Sequence, residues 1–473
     1  MARFAPTLRT MMSSDDNIAQ AGVGQRVFVA GTGNSAAITA LALKMAGCAV
    51  VIEGGHKHPP PNISPDRHDK SPDWQRVLAL GAASKTMLQR LGIWARLDLP
   101  TAAITDMQII GAPDFGGLYF GADFDETNFD TKKQAGPKTE TETLAHSVSL
   151  NALSRAIAQT LTDKLADTGD TGSITRTTSP FADWRNQQLY LDNGTQMRGA
   201  VLVDTNVGAH TVGGKTIKTR EAAGIAIWQH DYHASALVAV LDSTYTHKTP
   251  PHKTIARQVF LPSGPLALLP LPHPQKLALI WSLPTPRASA LAQVAQDIFE
   301  HELNKACLGF GDIEALSLSG LRTTQPLYAH FANHFVAPNL VLLGAAAHLF
   351  HPLAGQGFNV TLRDASALAD TFYDARMLGL SLADPWVLQK YQTLRRGDTA
   401  IMASTTHALA QLFFTAPKLA TAGLATMGAL VKRQPNLAKF LRTQANNGSI
   451  TAPRLMRPMH LTQQHQFGDA PIL

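Results

Sequence analysis

Residues Asn339 to Leu368 read NLVLLGAAAHLFHPLAGQGFNVTLRDASAL, and their reading decides the fold. The apolar run Leu340 to Leu343 predicts a buried parallel strand. A Pro/Gly loop follows, and a helix is expected from about Asn359. This is a strand, loop, helix crossover. Gly355 and Gly357 carry no Cβ, so backbone there can approach a flat or charged ligand, and the helix that follows aims unpaired N–H groups and its positive dipole end at it. Such a loop suits the head of a planar cofactor, although the same spacing also describes an ordinary Gly-rich turn.

Working outward, Arg26 to Glu53, RVFVAGTGNSAAITALALKMAGCAVVIE, forms a βαβ unit. Gly31 and Gly33 match the first two glycines of the dinucleotide fingerprint, Ala36 takes the place of the third, and Glu53 stands where an acid takes the ribose hydroxyls of an adenosine moiety. A helix is predicted from Pro72 to Arg90, with Arg76 in its first turn, either solvated or reaching a pyrophosphate. Residues 111–143 read as a loop-like insertion. Asn151 to Asp163 reads as a helix, and ADTGDTGSITRTTS as a low-complexity link. The hairpin QLYLDNGTQMRGAVLVD has a primed turn expected at Asn193-Gly194, and Val201 to Asp204 should join the parallel sheet. Alternation from Glu221 to Leu283 predicts a second, antiparallel sheet, and Leu291 to Leu308 an amphipathic helix. After Asp384 the chain is expected to be helical, with a weakly charged stretch from Ile401 that covers the core or lies on a membrane.

The composition limits the alternatives. A chain of 473 residues forms two or three domains, and 45% hydrophobic with 16% charged residues is ordinary for a globular protein. The 41 basic and 35 acidic residues are interspersed, so no nucleic-acid stripe is present. Cys48 and Cys307 supply neither a disulfide framework nor a metal cluster; they read as core residues in a reducing compartment. No apolar run reaches the ~18 residues of a membrane span. The first residues, MARFAPTLRTMMSSDD, read as an irregular extension or a targeting peptide.

In this order the pieces resemble the class A FAD-dependent aromatic hydroxylases, with the p-hydroxybenzoate hydroxylase fold, and among them the branch acting on ubiquinone precursors. His351 to Leu368 is similar to that branch's H-P-x-x-G-Q-G-x-N-x-G-x-x-D signature, with Thr361 where glycine is usual. GPLALLPLP at Gly264 to Pro272, RVLALGAASKTMLQRLGIW at Arg76 to Trp94, and LQKYQTLRRGDTAIMASTTHALAQLF at Leu388 to Phe413 extend the likeness across roughly Val27 to Lys439.

The resemblance implies an α/β fold: a doubly wound, Rossmann-like FAD domain (25–105, 146–212, 336–378) interleaved with a β-rich substrate domain (106–145, 213–335). A C-terminal helical segment (379–445) and an irregular tail (446–473) follow, and residues 1–24 precede. It also implies that flavin, O2 and a reductant, NAD(P)H or another donor, hydroxylate a polyprenylated phenol. No catalytic side chain or metal is then expected, because the flavin carries the chemistry. Carried over residue by residue, Gly31, Gly33 and Ala36 hold the pyrophosphate, Glu53 the ribose, and Arg76 the phosphate region. Gly344 and Ala345 flank the ribityl chain, and Pro352, Gly355, Gln356, Gly357, Phe358 and Asn359 meet the isoalloxazine edge. Pro265, Leu266, Leu268 and Pro270 face the substrate cavity.

Several positions depart from the family pattern. Its G-D pair is Gly344-Ala345, its A-D-G motif is Thr205-Asn206-Val207, and its N-R pair is Leu150-Asn151. Two readings follow: an active hydroxylase, or a silent member that binds FAD weakly and serves the ubiquinone-biosynthesis assembly as a scaffold or prenyl-ligand binder. Neither involves nucleic acid. The expected location is cytoplasmic, with peripheral contact at the inner membrane for a prenylated substrate.

Overall fold

The structure is a computed structural model. It describes residues 26–54, 73–110, 118–120, 143–165, 172–197, 200–206, 210–212, 215–217, 219–245, 254–351, 355–415 and 452–458. The N-terminal extension, the loop at 55–72, most of 111–142, Val207, Pro352, and the segments at 416–451 and 459–473 lie outside these residues.

The chain begins with β1 (Arg26–Ala30), α1 (Asn34–Met45) and β2 (Ala49–Ile52), then β3 (Val77–Gly81), α2 (Ala82–Arg90), β4 (Ala102–Ile104), β5 (Asp106–Ile110) and β6 (Leu118–Phe120). Next come β7 (Ala145–Ser149), α3 (Leu150–Leu165), β8 (Ser173–Arg176), a meander of β9 (Phe181–Arg185), β10 (Gln188–Leu191) and β11 (Gln196–Met197), and β12 (Ala200–Asp204). A short ribbon of β13 (His210–Val212) and β14 (Lys215–Ile217) leads through α4 (Thr219–Ala222) to the 19-residue β15 (Ile227–Tyr245). The rest is β16 (Ile255–Leu261), β17 (Gly264–Pro270), β18 (Lys276–Pro284), α5 (Thr285–Gln293), α6 (Gln296–Cys307), β19 (Ile313–Leu318), β20 (Thr323–Ala332), β21 (Val336–Ala337), β22 (Leu340–Leu342), β23 (His348–Leu349), α7 (Gly357–Met377) and α8 (Pro385–Thr415).

The first sheet runs β21-β22-β12-β1-β2-β8 and is parallel except for β21. Its inner strands β1, β2, β12 and β22 are nearly continuous apolar runs because both faces are covered there, whereas the edge strand β8 is not. Helices α1, α3 and α7 pack together with this sheet, and Phe28 meets Phe181 of the meander edge to face at 6.4 Å. In register, Val27 lies beside Val50 and Val201, and Leu202 beside Leu340. The carboxyl ends of β1, β12 and β22 therefore share one edge, where ligands bind in such sheets.

The second sheet has nine strands, with β15 at its centre. One face buries Leu237, Leu266, Leu268, Leu279 and Trp281 against Phe299, Leu303 and their neighbours on α5 and α6. The opposite face packs Tyr232, Ala234, Ala236 and Phe260 against Ala410 of α8, and Val240, Leu269 and Ala278 against Ile104, Val77 and Ala79 of the small sheet β3-β7-β4. Both cysteines are buried and free, and burial pushes each thiol up to about 12.

Local expectations are corrected at several places. The helix expected from Pro72 starts only at Ala82, because Val77 to Gly81 pair antiparallel with β7. The helix expected over Leu291 to Leu308 is two helices. Arg322 donates to the Leu291 and Val294 carbonyls, taking up acceptors that a continuing helix would use. The link after Leu165 contains β8, which pairs the free edge of β2, and the insertion after Ile110 contributes β6. Asn193 does not adopt positive φ and Gly194 does, at +85°. With Gly194 N–H on Leu191 O, the loop is a turn closed by a left-handed glycine rather than a primed pair. Part of the tail docks: Arg454 N–H donates to Asp370 and its guanidinium to Asp374, both on α7.

Candidate functional site

The edge shared by β1, β12 and β22 forms a cradle at the start of α1. Gly31 has φ +125°, and a Cβ there would lie 2.4 Å from Thr205 Oγ1, whose hydroxyl donates to Ala30 O at 2.8 Å. Only glycine fits that turn. Ala36 is fully buried, so a methyl is the largest group this helix–strand approach leaves room for. Gly33 is exposed and caps α1 with extended backbone; a Cβ on it meets nothing within 4 Å. Among the described residues no side chain caps this helix, and no acid lies in its first turn. Its first N–H groups are left for an anion. Asn34 Nδ2 donates to Ser154 Oγ at 2.8 Å, which fixes α1 to α3, while Asn34 Oδ1 is buried without a hydrogen-bond partner.

Glu53 stands beside this cradle. Its Oε2 accepts the Gly31 N–H at 2.9 Å and its Oε1 accepts the Phe181 N–H at 3.1 Å. The carboxylate thus holds the loop's shape. Thr205 and Asn206 close over the same glycine; Asn206 donates from both N and Nδ2 to Asp204 Oδ1 at 3.0 Å. Arg76 is not in a helix. It is exposed ahead of β3, and its carbonyl accepts the Leu150 N–H, which sets it at the start of α3 beside Asn151.

The second half of the site is the loop into α7. Gly355 has φ +62° and would meet Ala79 Cβ at 3.5 Å, while Gly357 is exposed with open space around it. Gln356 caps α7, whose start likewise has no side-chain cap and no acid. Phe358 packs partly buried on the core around β1 and β22. Asn359 does not face outward. Its Oδ1 accepts from Gly81 N (3.0 Å) and Ser84 Oγ (2.7 Å), and its Nδ2 donates to Ala79 O (2.8 Å) and Gly355 O (3.3 Å). With all four positions of its amide used, Asn359 stitches the loop to β3 and α2.

Gly344 has φ +56°, and Thr361 Cγ2 stands 2.8 Å from where its Cβ would lie. Ala345 is partly exposed; its carbonyl lies 2.8 Å from His330 Nε2, and Arg220 Nη1 donates to the next carbonyl, Ala346 O, at 3.1 Å. The resemblance places Ala345 beside a flavin's ribityl chain, so replacing it with aspartate is expected to add an acceptor there. FAD affinity should rise about tenfold. Unchanged affinity in a titration would show that Ala345 does not face the ligand.

Beneath this turn, the fully buried Asp364 accepts from His348 Nε2 at 2.6 Å, Gly344 N at 3.3 Å and Arg395 Nε at 2.7 Å. Burial pushes its pKa up, but the neighbouring charges of His348 and Arg395 outweigh that and hold the carboxyl below its usual range. Thus the final acid of the Gly-Gln-Gly signature joins the turn to α8 and does not meet a ligand.

The inner face of the large sheet closes the site. Leu266 and Leu268 lie on the other face, packed against α5 and α6, and Pro270 shares their side by strand alternation. Pro265, opposite Phe260, is on the inner face. The residues that reach the Gly-Gln-Gly loop are instead aromatic: Tyr232 of β15 meets His351 edge to face at 4.8 Å, and His407 of α8 lies 3.1 Å from the Tyr232 hydroxyl. Burial, followed by the charge of His407, lowers His351 to about 4, and burial raises Tyr232 to about 12. Sequence reading passed over Arg220, Tyr232 and His407, which lie far from the glycine motifs along the chain. The even-numbered alternation from Trp228 to Tyr232 is the signal that could have marked the strand face.

A family model described as an FAD binding domain matches residues 206–402. The ubiquinone hydroxylase UbiL of Rhodospirillum rubrum is 29% identical over 442 residues, covering 92% of this chain and 93% of that protein. The 3-demethoxyubiquinol 3-hydroxylase of Escherichia coli is 29% identical over 388 residues, or 80% and 87% of the two chains. Among solved structures, PqsL of Pseudomonas aeruginosa, a probable FAD-dependent monooxygenase, superposes with a TM-score of 0.59 at 20% identity, covering 85% of this chain and 99% of that one.

Proposed function

We propose that the chain is a class A FAD-dependent aromatic hydroxylase and that it hydroxylates the ring of a polyprenylated phenol in ubiquinone biosynthesis. The observation that carries this reading is the pair of bare helix starts. Gly33 and Gly357 each open a helix with no side-chain cap and no acid, beside open space. Two electropositive N-termini suit a ligand with a pyrophosphate at one end and an electron-rich ring at the other.

In this assignment Gly31, Gly33 and the start of α1 take the pyrophosphate, and Glu53 takes a ribose hydroxyl. The turn at Gly344 and Ala345 flanks the sugar chain, and Gly355 to Gly357 meet the ring. When bound, FAD supplies oxygen activation, with O2 and electrons from NAD(P)H or another donor. The chain's own contribution is position and desolvation: the inner face of Tyr232, Ala234, Ala236 and Phe260 is closed by α8, so the phenol sits away from water. Trp386, Leu394 and Ile401 leave an exposed apolar strip on the outside of α8, which supports peripheral membrane contact for a prenylated substrate. Among the described residues no helix is long and apolar enough to cross a membrane. Relatives aligned over most of their length are named as hydroxylases, which favours the enzyme over the scaffold reading.

The test loads purified protein with FAD, reduces it chemically, and admits isotopically labelled O2 with a prenylated phenol. One labelled oxygen atom in the product ring is expected. Flavin reoxidation with no labelled product would sink the proposal.

A further inference from the structure

Residues 452–458 return from the tail to the FAD-domain fold, with a short turn at Arg454–Met456. Leu455 and Met456, each 2% exposed, enter the main core and pack on α2 and α7. The polar contacts clip those two helices together. Arg454 donates from its N–H to Asp370 Oδ2 and from Nη2 to Asp374 Oδ1, both at 2.8 Å, and its guanidinium lies 5.1 Å from the centre of the Tyr373 ring. Its carbonyl accepts from Nη1 of Arg90, the last residue of α2, while Lys390 of α8 donates to the other oxygen of Asp374 at 3.1 Å.

The same two helices are joined at their other ends by Asn359, whose Oδ1 accepts from Gly81 N and Ser84 Oγ at the start of α2. Asp370 stands about three turns further along α7, roughly 16 Å away. Helices α2 and α7 therefore run side by side with two holds, one at the Gly-Gln-Gly loop and one at Arg454. The second hold is incomplete. Asp370 Oδ1 is buried without a hydrogen bond, with Arg454 Nη1 at 3.8 Å, and burial outweighs the pull of Arg454 to raise Asp370 to about 6. A buried carboxylate so poorly compensated weakens the contact it makes.

We propose that residues 452–458 are a releasable strap that controls the ring half of the cofactor site. Docked, the strap fixes α2 against α7, and with them the Asn359 bonds that shape the loop from Gly355 to Gly357. Undocked, it lets α2 shift on α7, so those bonds and the loop loosen while the rest of the domain stays folded. The nucleotide half keeps its shape in both states, because Gly31 is held by Glu53 within the β1, α1, β2 unit. By reciprocity, a ligand ring seated at the loop favours the docked strap. This inference rests on the flavin reading of the loop and adds a control of it from the far end of α7.

The test compares FAD with ADP, which carries only the adenosine and pyrophosphate half, on full-length protein. Flavin fluorescence gives the FAD affinity and calorimetry the ADP affinity. In Arg454→Gln the affinity for FAD should fall about tenfold while that for ADP is unchanged. Arg90→Met removes the bond to the Arg454 carbonyl from the partly exposed end of α2; it should show the same split and supplies the answer if Arg454→Gln does not fold. In the parent, tryptic cleavage between Arg454 and Leu455, which needs the strap undocked, should be about tenfold slower with saturating FAD than with saturating ADP. Equal losses for both ligands, no loss for either, or equal cleavage rates overturn the strap and leave the flavin reading standing. A parent protein that binds ADP but not FAD overturns both.

Discussion

Replacing Gly33 with aspartate should abolish FAD binding while slightly stabilising the fold. Gly33 already has the extended backbone of a helix cap, and its added side chain meets nothing within 4 Å. Aspartate is among the best capping residues, so α1 should gain a few tenths of a kcal/mol. The same carboxylate would occupy the donors left for the pyrophosphate and set negative charge against it. Losing charge-assisted bonds worth about 1.5–3 kcal/mol each, with repulsion added, predicts a fall in affinity of at least 100-fold. Calorimetric titration and thermal melting of one sample read the two effects together. A variant that melts higher and still binds FAD would place the cofactor elsewhere; one that merely unfolds would contradict the open geometry at Gly33.

Asp364→Asn should cost about 3–5 kcal/mol, because it leaves the buried Arg395 guanidinium and the His348 ring facing an amide. Asp398 still pairs Arg395 from the surface side, so the loss should fall toward the lower end. The pH dependence has a definite sign. The Asp364 pKa is depressed in the fold, so its contribution is fully present above the unfolded value of about 3.9 and is lost as pH falls through the lower folded value. The gap in melting temperature between parent and variant should thus be constant from neutral pH down to about pH 5 and close in stronger acid. A gap that persists unchanged into strong acid would remove Asp364 as its source.

Much of the fold around the first glycine turn was legible because its signals are local. Gly31, Gly33, Ala36 and Glu53 fall within one βαβ unit, and a single strand period and helix period place them. The start of α7 at Gly357 was equally visible from the glycines before it. Asn359 and Asp364 were legible as motif letters but not as roles. Whether an amide points at a ligand or at the backbone of Gly81 and Ala79, 278 to 280 residues away in sequence, depends on packing that no local pattern encodes. The substrate face failed for a related reason. Leu266 and Leu268 stand in the hairpin that the resemblance marks, yet strand alternation gives its two faces equal claims, and only the arrival of α5 and α6 decides which is core. Tyr232, His351 and His407 meet from three distant segments through a bulge, and Arg322, just ahead of β20, divides the helix predicted over Leu291 to Leu308. The replacements at Ala345, Thr205 and Asn206 read as deficits along the sequence. In the fold, Thr205 and Asn206 fill the space over Gly31, and Ala345 leaves the turn intact.

The chain is predicted to hold FAD although Gly344-Ala345 lacks the aspartate of the G-D pair that the resemblance implies. Titration of the purified protein with FAD, followed by the change in flavin absorbance and checked by its retention on gel filtration, measures this directly. One FAD bound per chain, and none to Gly33→Asp, is the predicted result. A folded protein that leaves the spectrum of added FAD unchanged and passes the column colourless would contradict it.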